Sequence, residues 1–325
     1  MLNSVHLELL HNFTTLTSYS LSNDVALRTL WRIKVPQLGF SVDFVMRGIL
    51  AISALHMSRT FPSKHDYYLA MAMSEHEAAL REALSVLRNV TAGNCSALYV
   101  FSIMTFYYTV AAPRTVGDML LANASGVADW LVVFRGLRGI SDVATRELLD
   151  GPFAALFIHG QARIDESFSA VATSQGWNLT NEHMQLETLR RLVSRATKEP
   201  QLLDVYLRSI NELELCFQNN SARFQSIIPG MTAGGNPGES IVVPETAIVL
   251  SWAYQVCNEF VELLVQRRGE ALVIFAYYCV LLKSLDGCWW MHGRTSHFLQ
   301  EIWEALTQQQ KLWIQWPLEE IGLQL

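Results

Sequence analysis

Cys279, Cys288, His292 and His297 are the most metal-like set in the chain. Thiolate and imidazole suit zinc, which takes four such ligands in a tetrahedron. Structural zinc sites, however, space their cysteine pairs two to four residues apart. These cysteines stand further apart, and the histidines are at i and i+5. Cys279 also lies inside an apolar run, where a thiol packs as a small apolar side chain. Neither a metal nor a cofactor is expected. Asp286, His292 and Glu301 could exchange protons beside the nearby tryptophans. Single titratable groups near aromatics are also ordinary in helical proteins, so no catalytic set is assigned. His76-Glu77-Ala78-Ala79-Leu80 opens like a zinc-protease helix but lacks the second histidine that would share the metal. Gly230 to Gly235 has the glycine spacing of a phosphate loop, yet Asn236 and Pro237 follow where Lys and Ser/Thr are required. Arg135 and Arg138 read as an anion clamp or, preferably, as cations complementing a helix C-terminus. No Gly-x-Ser-x-Gly elbow or dinucleotide fingerprint occurs.

Helices must carry these side chains, because apolar residues recur at helical spacing along the chain. Leu9, Phe13 and Leu16 form one stripe in Leu7 to Leu21. Pro36 and Gly39 break the chain, and Ser41 then caps a helix with Asp43 in its first turn. That helix, Phe44 to Arg59, is apolar nearly all round and should be central. Lys64 to Arg88 is amphipathic, with Leu80, Leu84 and Leu87 inward and Glu77 and Arg81 paired outside. Ala97 to Ala112 is a buried helix, and Asp129 to Gly139 a short one with a glycine stop. Glu182 to Lys198 buries Leu186, Leu189 and Val193; Gln201 to Phe224 repeats its pattern. Pro244 opens Glu245 to Arg268, and Ala271 to Leu282 is a last apolar helix before a Trp-rich tail. Trp289, Trp290, Trp303, Trp313 and Trp316 are either core packing or the wall of a pocket or interface. The fold class is all-α, read as one domain over residues 1–325 with a flexible Gly/Pro-rich loop at about 229–240.

Composition narrows the function. Of 325 residues, 50% are hydrophobic and 17% charged, which excludes a disordered chain. The formal charge of −6 gives no global basic surface for nucleic acid. Five irregularly spaced cysteines favour reduced thiols. The N-terminus lacks a basic n-region and carries His6, Glu8 and His11 through its apolar part, so export is not expected. The Asn-x-Ser/Thr sequons at Asn89, Asn94 and Asn123 are then chance matches. The runs Ala97 to Ala112 and Ala271 to Leu282 fall short of the ~20 residues that span a bilayer, so no membrane span is expected.

Several blocks in order carry a resemblance. LELLHNFTTLTSYSLS (Leu7 to Ser22), VPQLGFSVDFVMRGILAISALHMSR (Val35 to Arg59) and NCSALYVFSIMTF (Asn94 to Phe106) are three of them. AYYCVLLKSLDGCWWMHG (Ala276 to Gly293) and LWIQWPLEEIG (Leu312 to Gly322) complete the set. Together they resemble the fungal-specific regulatory domain of zinc-cluster transcription factors of the sterol uptake control type. The stretch from about Phe153 to Ser240 matches least.

That resemblance implies an all-α domain with an apolar, aromatic-lined cavity for a sterol or similar lipid, with occupancy coupled to activity. It places the wall at Phe275, Tyr278, Cys279, Trp289, Trp290 and Met291, with Gly293 at the loop, each contributing shape and apolar contact. It also implies self-association. The family's six-cysteine DNA-binding module is not matched: the first cysteine here is Cys95, and no Cys-x-x-Cys occurs. The expectation is a sensor of a hydrophobic small molecule in the nucleus or cytoplasm, not binding DNA directly. It would control lipid or secondary-metabolite genes as a homo-oligomer or as a hetero-oligomer with a full-length zinc-cluster factor. Two alternatives stay open. One is an enzyme on the same scaffold that cyclises or isomerises a lipophilic polyketide or terpenoid. The other is a dimerisation subunit with a filled core.

Overall fold

Two helices are apolar on every side, and each becomes the centre of a compact unit. In a computed structural model, residues 4–22, 24–113, 129–157, 177, 180–227 and 246–325 are described, and every regular element among them is helical. The expected loop at about 229–240 lies outside the described residues. The described chain forms two units, one made of 4–22, 24–113, 129–157 and Cys288–Met291, the other of 177, 180–227, 246–287 and 292–325.

The first unit is built on the helix Asp43–Thr60. It packs against Ser4–Thr15, Val35–Gly39, His65–Leu87 and Cys95–Ala111. Having neighbours on all sides explains its all-round apolar sequence. Gly48 marks its closest approach to Cys95–Ala111. A Cβ there would meet Met104 Cε at 2.9 Å and the Phe101 ring at 3.1 Å.

Three local expectations are corrected here. Pro36 does not break the chain: Val25–Thr29, Leu30–Lys34 and Val35–Gly39 follow without interruption, the middle one a π-helical turn. The wider turn suits a proline, which donates no N–H and crowds the carbonyl four residues back. Ser41 is not the cap of the next helix. Val42 holds that position, while the Ser41 hydroxyl donates to Leu38 O at 2.9 Å. In His65–Leu87 the leucines are outside: Leu80, Leu84 and Leu87 are 36%, 52% and 39% exposed. Tyr68, Ala72, Glu75, Ala79 and Ala83 face inward instead, a second stripe of equally good helical period whose small residues allow close packing. Glu75 is admitted because Arg47 and His6 pair with it at 2.9 and 3.3 Å.

The helix Asp129–Leu149 runs past Gly136 and Gly139, its expected stop, and departs from helical geometry only at Ala144.

The second unit is built on Gly269–Lys283. Every residue from Ala271 to Cys279 is buried there. Around it pack Pro200–Ile227, Thr246–Gln255, Asn258–Val265, Arg294–Ala305 and Gln315–Ile321. Asn181–Ala196 joins through Leu186, Leu189 and Val193, the stripe its sequence predicts. Its cap is Thr180, whose hydroxyl accepts from the His183 N–H at 3.2 Å. The single helix expected over Glu245 to Arg268 is two helices bent by 89° at Val256–Cys257. The bend lets Trp252 and Phe260 meet edge to face at 5.6 Å. No single helix among the described residues is long and apolar enough to cross a membrane.

Candidate functional site

The seven residues expected to line a site fall into two groups. Trp289, Trp290 and Met291 belong to the first unit; Phe275, Tyr278, Cys279 and Gly293 belong to the second.

In the first unit, the segment Cys288–Met291 is held chiefly by polar contacts to Trp289. Its indole N–H donates to Ser20 Oγ at 2.8 Å. Its carbonyl accepts from Arg59 Nη1 at 2.7 Å, while Arg59 Nη2 donates to Ala111 O at 2.6 Å. The ring stacks on His56 with centroids 4.6 Å apart, and the Arg59 guanidinium lies 5.9 Å from it. Behind His56 runs a buried network. His56 Nδ1 lies 3.0 Å from Thr17 Oγ1, and Asn12 donates to Thr17 Oγ1 at 3.0 Å and to Ser53 Oγ at 2.9 Å. Burial, aided by the Arg59 charge, pushes His56 down to about 4, so it packs as a neutral ring at pH 7.

Next along the segment, Trp290 is edge-on to Phe106 at 6.0 Å and to Tyr107 at 5.1 Å. It is buried, and its indole N–H has no partner among the described residues. Met291 is buried beside it in sequence. His76 lies elsewhere in the unit, stacked on Tyr108 at 3.7 Å and likewise pushed by burial to about 4.

In the second unit, Phe275 and Tyr278 project from the central helix into an aromatic cluster. Tyr278 meets Trp252 at 4.4 Å and Phe275 at 5.6 Å; Phe275 meets Phe298 at 5.5 Å. Trp252 is satisfied through its indole N–H, which donates to Ser209 O at 2.9 Å. The Tyr278 hydroxyl is fully buried and has no partner among the described residues. Burial pushes its phenol, and the Cys279 thiol, well above their ordinary values, so both are neutral. Gly293 contributes backbone only. Its φ of 73° is left-handed, and it is the N-cap of Arg294–Ala305.

Sequence reasoning missed most of the neighbours: His56, Arg59, Phe106 and Tyr107 in the first unit, Trp252, Phe260 and Phe298 in the second. Arg59, a cation in the last turn of a largely apolar helix, was the one legible signal. The other rings come from distant segments whose periodicity says only that they are inside.

The tested chemistry is used up locally. No three His, Cys, Asp or Glu side chains among the described residues gather as a metal site. Asp286 Oδ1 accepts from the Thr295 hydroxyl at 2.9 Å, and Glu301 pairs with His297 at 3.2 Å. Burial raises the Asp286 carboxyl. The Glu214 carboxylate accepts from Trp177, His183 and Arg190. Burial would raise it, but those hydrogen bonds outweigh burial and hold it low. The Arg135 side chain lies outside the described residues.

No family model matches the chain. It is 22% identical to a Zn(2)-C6 fungal-type transcription factor of Gibberella zeae over 97% of its own length and 61% of that protein. It is 27% identical to the Zn(2)-C6 fungal-type transcription factor afumD of Aspergillus fumigatus, over 44% of this chain and 38% of that one. It is also 27% identical to sterol uptake control protein 2 of Saccharomyces cerevisiae, over 42% of this chain and 15% of that one. The chain thus spans 61% or less of the length of these curated relatives. It carries no Cys-x-x-Cys, so the similarity runs over the regulatory region of those factors and not over a zinc-cluster cysteine array.

Proposed function

We propose that this distant homologue of Zn(2)-C6 fungal transcription factors is a regulatory region that senses a hydrophobic small molecule and conveys its occupancy to a transcription complex. The observation that carries the reading is similarity to such a factor along 97% of the chain. The further match to a sterol uptake control protein favours a sterol or a lipid of similar shape. Burial of rings around Tyr278 and Trp290 supports it, because an apolar ligand is held by area removed from water and oriented by few polar groups. Residues 1–325 act as one regulatory region inside the cell, in the nucleus when engaged with its genes, which are those of lipid or secondary metabolism. The residues proposed for ligand contact are Phe275, Tyr278 and Cys279, with Gly293 at the loop, in the second unit, and Trp289, Trp290 and Met291 in the first, each unit taken by itself.

The partner contact is assigned to the outer face of His65–Leu87. Met73, Leu80, Leu84 and Leu87 are exposed there at near-heptad spacing, with Glu77 within the stripe and Arg81 and Arg88 at its edge. The occupant of this face would be a second copy of this helix or the like helix of a zinc-cluster factor.

The test is transcript profiling of the native cell with and without the gene, under sterol-replete and sterol-depleted growth. The reading requires a set of lipid or secondary-metabolite transcripts whose sterol response depends on the gene. An identical response in the two strains, with the protein present in the parent, refutes it.

A further inference from the structure

The Tyr278 hydroxyl is one of the buried polar groups of the second unit without a hydrogen-bond partner among the described residues. Two neighbouring donors, at Trp252 and Cys216, are already committed. The Trp252 indole N–H donates to Ser209 O. Cys216 Sγ, 3.1 Å from Ser251 Oγ, faces a hydroxyl that itself donates to Ile248 O. A protein rarely leaves a buried hydroxyl unsatisfied, because its hydrogen bonds to water have been given up for nothing. A trapped water needs two to four polar partners, and the neighbours here are the Trp252 and Phe275 rings and two weakly polar thiols, Cys216 and Cys279. A molecule that is apolar except for one oxygen suits such surroundings better, since its body meets rings while its oxygen meets the phenol.

We infer that the Tyr278 hydroxyl is the hydrogen-bond anchor for the single hydroxyl or carbonyl oxygen of an otherwise apolar ligand, in addition to the packing role of its ring. This rests on the proposed ligand-sensing function. Tyr206 provides the comparison. Its hydroxyl is also buried and unpartnered, and its ring joins the same string through Phe260 at 6.4 Å. Its surroundings differ, with Glu270, Arg268 and Glu199 contributing their charges. Charged side chains thus act on Tyr206 and, among the described residues, only thiols on Tyr278.

The experiment is equilibrium binding of cholesterol and of 5-cholestene, the same ring system without the hydroxyl, to the full chain and to Tyr278→Phe and Tyr206→Phe. Wild-type protein should prefer cholesterol about tenfold, the effect of one buried hydrogen bond. Tyr278→Phe should lose that preference by weakening cholesterol alone, and Tyr206→Phe should keep it. Retention of the preference in Tyr278→Phe overturns the anchor and leaves the sensing reading standing. No binding of either sterane to the wild type overturns both. A ligand-free measurement tests the anchor independently. Without lipid, Tyr278→Phe should melt at or above the wild-type temperature, because no hydrogen bond is lost. A lower melting temperature would show that the hydroxyl already has a partner, and would overturn the anchor.

Discussion

His56 and His76 are ring-stacked in the first unit and held neutral by burial, each with a pKa pushed down from 6.5 to about 4. The unfolded chain therefore binds more protons than the folded one between those values. Their contribution to stability is whole above pH 6.5 and is lost as pH falls towards 4. Allowing for partial exposure, the loss is on the order of 2 kcal/mol per histidine. His76→Phe keeps a ring against Tyr108 and removes the titration. Denaturant unfolding at pH 7 and pH 4.5 should show a smaller acid loss in the variant, by roughly 2 kcal/mol. An unchanged difference would mean that His76 is protonated in the folded protein. At the same scale, sequence reading placed Trp289, Trp290 and Tyr278 among the important side chains but gave them apolar roles only. The polar half of their chemistry came from the fold: a carbonyl gripped by Arg59, an indole on Ser20, a phenol with no partner among the described residues. Those contacts join residues far apart in sequence, and no local pattern encodes them.

Among the elements, the helices that sequence reading located best are those with one possible buried face. Asn181–Ala196 has a single apolar stripe, and Leu186, Leu189 and Val193 are inside as its period requires. The helix His65–Leu87 has two competing stripes, leucine and alanine. Hydrophobicity alone selects the leucines; the close neighbour Asp43–Thr60 selects the alanines. The bend at Val256–Cys257 was hidden because neither residue is a strong helix breaker. Gly48 tests the packing of Asp43–Thr60 against Cys95–Ala111. Its Cβ space is taken by Met104 and Phe101, so Gly48→Leu should cost about 2–3 kcal/mol of stability through overpacking. Chemical denaturation measures this, and a neutral result would mean that the two helices lie further apart than described.

At the scale of the whole molecule, the proposed function needs an interior that takes up a lipid and an exterior face that associates. The leucines displaced from the core lie on the outer face of His65–Leu87, at the coiled-coil-like spacing on which the proposed association rests. Leu80→Glu with Leu84→Glu should leave helical content and melting intact while converting a self-associated species to monomer, as read by sedimentation equilibrium. A monomeric wild type, or a dimer indifferent to these changes, would remove that face from the account. The interior is the central claim, and native mass spectrometry of the purified chain with organic extraction of what accompanies it addresses that claim most directly. The account predicts a stoichiometric, largely apolar molecule with a single hydroxyl or carbonyl oxygen, released on denaturation. A folded protein of bare-chain mass that yields no extractable lipid, and gains none when sterol is supplied, would contradict it.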